Sequence, residues 1–252
     1  MEKTVLITGA TAGIGQACAK IFASNKYKLI LTGRRSERLE SLKNELQQQY
    51  QVEIITLNFD VRDKNQVETA IDSLPETWKA IDILINNAGL AAGLDPIQSG
   101  DIDDWERMID TNLKGLLYMS RKVSPLMTAR KSGHIINISS IAGKEVYPNG
   151  NVYCATKHAV SALTRGMRID LLPYGIKVSA ICPGMVETEF SVVRFHGDED
   201  KAGKVYDGLT PLSAMDIAET IYFMATRPAH VNLDDVVIMP TAQGSSRDTF
   251  RN

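Results

Sequence analysis

Short apolar runs alternate with amphipathic stretches along nearly the whole chain, and this rhythm constrains the fold more than any other feature. Residues 4–8, 28–32, 52–57, 81–85, 134–139, 176–182 and 236–239 have the length and composition of buried strands. Between them, residues 16–25, 37–50, 63–74, 105–130, 152–172 and 214–226 carry helical periodicity. Ser36, Asp63 and Ser213 are placed to cap three of these helices. The 105–130 segment reads as two helices, or as one bent near Asn112-Leu-Lys-Gly115. Strands that alternate with helices in this way imply right-handed crossovers and a parallel sheet. The expectation is a single α/β domain over residues 1–252: a doubly wound parallel sheet of about seven strands, with helices on both faces. Residues 183–210 lack a clean period, and a lid over a substrate is expected around 185–212.

The composition excludes several function classes. The formal net charge is −2 and no Lys/Arg run is present, which argues against a nucleic-acid partner. Cys18, Cys154 and Cys182 have neither metal nor disulfide spacing and read as free thiols in a reducing compartment. The four histidines are scattered, so no metal site is expected. No basic leader precedes the first strand, and no apolar run approaches the ~20 residues of a membrane span. The expected address is the cytoplasm, with no membrane partner.

Thr8-Gly9-x-x-x-Gly13-x-Gly15 lies between the first strand and the first helix. Three glycines in a turn are a weak signal alone, but this context makes them informative. They permit close backbone approach to a pyrophosphate, and the helix N-terminus presents free N–H groups to it. After the second strand, Gly33-Arg34-Arg35 stands where the adenosine ribose would be read. An acid there favours the free hydroxyl of NAD, whereas two arginines favour the 2′-phosphate of NADP. Such a pair can also simply begin a polar helix. Asp60-Val61 is placed to meet the adenine, and Asn86-Asn87-Ala88-Gly89 ends the fourth strand, where ligands of open α/β sheets collect.

Tyr153 and Lys157 are four residues apart on the 152–172 helix, so phenol and ammonium share a face. A free tyrosine has a pKa of about 10, too high for proton exchange near neutrality. A neighbouring cation lowers it and makes Tyr153 a general acid or base. Ser140, at the end of a buried strand, can hold the oxygen that exchanges the proton. Tyr-x-x-x-Lys alone is common on exposed helix faces; Ser140 and the nucleotide loop set this pair apart.

Together these motifs, with Asn112 and Pro183-Gly184, resemble the short-chain dehydrogenase/reductase family over nearly the whole chain. The resemblance implies a Rossmann-type fold and nicotinamide-dependent oxidoreduction of an alcohol or carbonyl. It implies Tyr153 as acid/base and Ser140 as the residue orienting the substrate oxygen. Lys157 would bind the nicotinamide ribose and lower the Tyr153 pKa, and Asn112 would hold a water that relays protons to Lys157. The implied cofactor contacts are Gly9, Thr11, Gly13, Ile14, Gly15, Arg34, Arg35, Asp60, Val61, Asn87, Ala88, Gly89, Tyr153, Lys157, Pro183, Gly184, Val186 and Thr188. A homotetramer would form through helices 112–130 and 152–172. One departure concerns the cofactor. Many NADP-using members carry a basic residue just before the second loop glycine, and here that residue is Ala12.

Residues 187–195, Leu94-Asp95-Pro96 and Pro228-Ala229-His230-Val231-Asn232 further resemble the NADP-dependent serine and L-allo-threonine 3-dehydrogenase subgroup. A small acid substrate needs a cation for its carboxylate, and Arg194 in the expected lid can supply it. The expected reaction is hydride transfer between NADP(H) and a small 3-hydroxy acid or 3-hydroxy amino acid. Two alternatives stay open: a reductase of 3-oxoacyl thioesters or other carbonyls, and a dinucleotide-binding redox sensor or scaffold.

Overall fold

A computed structural model describes residues 2–252. Seven strands form one parallel sheet: β1 (Thr4–Ile7), β2 (Lys28–Gly33), β3 (Ile54–Asn58), β4 (Ile81–Asn86), β5 (His134–Ile138), β6 (Lys177–Pro183) and β7 (Asp235–Ile238). Their order across the sheet is β3-β2-β1-β4-β5-β6-β7, as a doubly wound sheet requires. The strands alternate between two cores. Val5, Ile7, Leu29, Leu31, Ile83, Ile85, Ile136 and Ile138 face one side, where Cys18, Phe22, Leu42 and Ile221 complete the packing. Leu6, Ile30, Leu84 and Ile135 face the other, against Val67, Ile71, Met119 and Val123. A two-residue period puts neighbours on opposite faces, and helices cover both.

The helices are α1 (Gly13–Ser24), α2 (Ser36–Tyr50), α3 (Lys64–Asp72), α4 (Ile102–Ile109), α5 (Leu116–Arg130), α6 (Asn151–Leu171), α7 (Glu189–Arg194), α8 (Glu199–Lys204) and α9 (Ala214–Ala225). Asp63 caps α3 by accepting from the Asn65 and Gln66 amides. Ser213 caps α9 in a reciprocal box with Asp216. Ser36 does not cap α2: the Ncap is Arg35, and Ser36 is already the first helical residue. The first helix also starts earlier than its apolar period, at Gly13, because the loop glycines themselves form its opening turn. The bend expected near Asn112 is a π turn, Asp110–Gly115, between α4 and α5. The aperiodic stretch after β6 contains α7 and α8, two one-and-a-half-turn helices. No helix among the described residues is long and apolar enough to cross a membrane.

Candidate active site

The carboxyl ends of β1, β4, β5 and β6 open into one cavity of about 500 Å³. It lies at the point where strand order reverses between β1 and β4, the usual ligand crevice of such sheets. The glycine loop forms one wall. Gly9 has φ of +66°, and a Cβ there would sit 3.0 Å from the Ala88 Cα. A Cβ on Gly15 would come within 2.4 Å of the Gly9 carbonyl and 2.5 Å of the Asn87 amide nitrogen. Asn87 staples this loop to β4: its Nδ2 donates to the carbonyls of Thr8 (2.9 Å) and Gly9 (3.1 Å). The Thr8 hydroxyl accepts in return from the amides of Asn87 and Ala88.

Gly9, Thr11, Gly13, Ile14, Arg34, Arg35, Asp60, Val61, Asn87, Ala88, Gly89, Pro183, Gly184, Val186 and Thr188 all line this cavity. So do Ser140, Tyr153, Lys157 and Arg194. Gly15 stands behind the loop and allows it to close. Asn112 also lies off the cavity wall. Its side chain is buried and fully engaged, accepting from the Leu90 amide (2.8 Å) and donating to the Leu90 carbonyl (2.8 Å) and Thr156 hydroxyl (3.1 Å). It thereby ties the loop after β4 to α6.

Tyr153 and Lys157 sit in the first two turns of α6, both buried. The Lys157 ammonium donates to the Ile138 carbonyl at 2.9 Å and lies 5.8 Å from the centre of the Tyr153 ring. Burial lowers the Lys157 pKa to about 8. Burial also raises the Tyr153 phenol, helped by Tyr147; Arg194 and Ser140 pull the other way. In the protein alone, burial sets the direction of the Tyr153 shift. Desolvation outweighs the Arg194 guanidinium because the phenol is buried.

Arg194 ends α7 and reaches back over the site. Its guanidinium lies 5.1 Å from the Tyr153 ring centre and donates to the Tyr147 hydroxyl at 2.5 Å. Its Nε is buried without a hydrogen-bond partner. Phe190, from the same helix, meets Tyr153 edge-on at 5.7 Å. At the other end of the cavity Arg35 donates to the Thr11 hydroxyl and to Glu189, and Arg34 lies 3.8 Å from Asp60. Asp60 is held more closely by Arg62, at 2.7 Å.

Sequence reasoning missed Tyr147, Phe190, Arg38 and Gln243. Gln243 accepts from the Met185 amide at 2.8 Å, joining the C-terminal segment to the end of β6. Arg38 bonds the second oxygen of Glu189 at 2.7 Å. Its spacing of three from Arg35, at the start of the same helix, was the available signal.

A glycine-cradled crevice beside a buried Ser–Tyr–Lys group defines a class of dinucleotide-dependent oxidoreductases. The family model described as short chain dehydrogenase matches residues 3–198, and the chain belongs to that family. It is 50% identical over 240 residues to the NADP-dependent 3-hydroxy acid dehydrogenase YdfG of Salmonella typhi, covering 95% of each chain. It is 46% identical over 247 residues to sulfoacetaldehyde reductase 2 of Chromohalobacter salexigens, covering 98% of this chain and 97% of the other. The closed form of a serine dehydrogenase complexed with NADP+ superposes with a TM-score of 0.92 at 46% identity, over 99% of both chains.

Proposed function

We propose that the protein transfers a hydride reversibly between NADP(H) and a small 3-hydroxy acid or 3-hydroxy amino acid. One observation carries the substrate class: the Arg194 guanidinium stands over Tyr153 with a buried, unpartnered Nε–H. A buried donor left unpaired costs free energy, and a carboxylate on that fork removes the cost. An acid anchored there has its hydroxyl only a few bonds away, toward Ser140 and Tyr153. The names of relatives that act on hydroxy acids, serine and an anionic aldehyde support the same reading.

The residues at the nucleotide end fit an NADP molecule. Gly9, Gly13 and Ala88 leave room for a close approach, and the α1 N-terminus faces the crevice. Arg35 supplies charge for a 2′-phosphate beside Thr11. When bound, the nicotinamide supplies the hydride chemistry. Ser140 then orients the substrate oxygen, and Tyr153 takes its proton in oxidation or returns it in reduction. Lys157 holds the ribose and supports the phenolate, while Asn112 positions the Leu90 loop against α6. Residues 185–212 act as the lid, with Phe190 and Arg194 as its inward-facing groups. The exposed Leu117 and Ile169, on α5 and α6, support a homotetramer built through these helices, and the expected address is the cytoplasm.

The test is NADP+ reduction with L-serine, L-allo-threonine and 3-hydroxypropionate, repeated with Arg194→Ala. The variant should raise KM roughly 10- to 100-fold, the size of a lost charge-assisted pair, with a smaller change in kcat. Unchanged KM would remove the acid substrates and favour a thioester or neutral carbonyl. NADPH binding without turnover on any alcohol or carbonyl would favour the sensor reading.

A further inference from the structure

The arginines at the nucleotide end do not stand free. Arg35 Nη1 meets one oxygen of Glu189 at 3.0 Å, and Arg38 Nη1 meets the other at 2.7 Å. Arg35 is also bound through its Nε and Nη2 to the Thr11 hydroxyl of the glycine loop, at 3.2 and 2.9 Å. Two guanidiniums and a loop hydroxyl thus form a receptor for a compact anion with oxygens on several sides. That is the chemistry a phosphate monoester requires. Its present occupant is a carboxylate from the first residue of α7. The last residue of the same helix is Arg194, over Tyr153.

We propose that Arg35 and Arg38 form one anion seat with two alternative occupants, Glu189 of the lid helix and the 2′-phosphate of the dinucleotide. The carboxylate and the phosphate are both negative and compete for the Nη1 donors of Arg35 and Arg38. Phosphate binding therefore releases the N-terminal tether of α7 and frees the helix that carries Arg194. Glu189 is then a positioning and specificity-determining residue. Only a nucleotide with a 2′-phosphate displaces it, and one with a free hydroxyl leaves the tether in place. The inference rests on the NADP reading of the crevice and adds Arg38 and Glu189 to it.

The test uses nucleotide fragments and needs no turnover. Binding of adenosine 2′,5′-bisphosphate and of adenosine 5′-monophosphate is measured by calorimetry on the wild type, Glu189→Gln and Arg38→Ala. Glu189→Gln should bind the bisphosphate about three- to tenfold more tightly, the range expected for two half-exposed ion pairs, with the monophosphate unchanged. Arg38→Ala should weaken the bisphosphate alone. Limited trypsin digestion reads the tether, because Arg194, Lys201 and Lys204 all lie in the lid. The bisphosphate should speed lid cleavage in the wild type, while Glu189→Gln should be cleaved rapidly with or without it. Bisphosphate affinity that is no higher in Glu189→Gln overturns the proposal, as does lid cleavage slowed equally in both proteins. A wild type that binds the two nucleotides alike overturns the NADP reading itself, a distinct result from loss of the tether alone.

Discussion

Replacing Lys157 with methionine should make the fold more stable at neutral pH while removing the group proposed to hold the nicotinamide ribose. The ammonium is buried, and its pKa falls from 10.5 to about 8. A folded pKa below the unfolded value means the native state pays to keep the charge. The penalty is complete below about pH 8 and is relieved as pH rises toward 10.5, where the unfolded chain also loses its proton. A gap of about 2.5 pH units, at about 1.4 kcal/mol each, corresponds to about 3 kcal/mol. Methionine fills similar volume but forfeits the bond to the Ile138 carbonyl, a loss of about 1 kcal/mol. The variant should therefore be about 2 kcal/mol more stable at pH 7 and about 1 kcal/mol less stable near pH 10.5. Urea unfolding followed by tryptophan fluorescence checks this, with wild type and variant at equal concentration across that pH range. The readout is the difference between the two proteins, which cancels the titration of every other group. A difference that does not change with pH would refute the reasoning, because the cost would then not be that of a buried charge.

Tyr153→Phe should lower kcat by roughly 10²- to 10⁴-fold with little effect on nucleotide affinity, read by steady-state kinetics and calorimetry. In the wild type the oxidation rate should rise from near-neutral toward alkaline pH, because burial holds the phenol high and only its ionised form accepts a proton; a flat profile would exclude Tyr153 as the base. Gly15→Ala should abolish dinucleotide binding and lower the Tm, since its methyl would meet the Gly9 carbonyl and the Asn87 amide at 2.4–2.5 Å; an alanine variant that binds NADP+ normally would show that the loop can shift.

The sheet was legible because its strands are short and bounded by turn residues and the central ones are buried on both faces, so Leu6 and Ile7 declare themselves without knowledge of their partners. Tyr153 and Lys157 were legible because four residues on a helix is a distance as well as a spacing. Three features were not. Ser36 has the right chemistry for a cap, but Arg35 takes that place, and nothing local decides between adjacent residues. The Arg38–Glu189 contact joins residues 151 positions apart, which no local pattern reports. The balance of forces on Tyr153 depends on how completely α6, Phe190 and Arg194 exclude water, a property of the assembled packing.

The π turn at Asp110–Gly115 bears on how this chain can vary in length. Each residue turns an α-helix by about 100°. If the turn healed to regular helix by losing one residue, α4 and α5 would fall out of phase. Either Met119 and Val123 would rotate away from the sheet, or Asn112 would rotate off Leu90. Surface loops absorb insertions and deletions; this stretch cannot, although half of it is exposed or only partly covered. The number of residues between Ile109 and Leu116 is thus under tighter constraint than the identity of most of them, and a change of length there would cost both the core and the floor of the site.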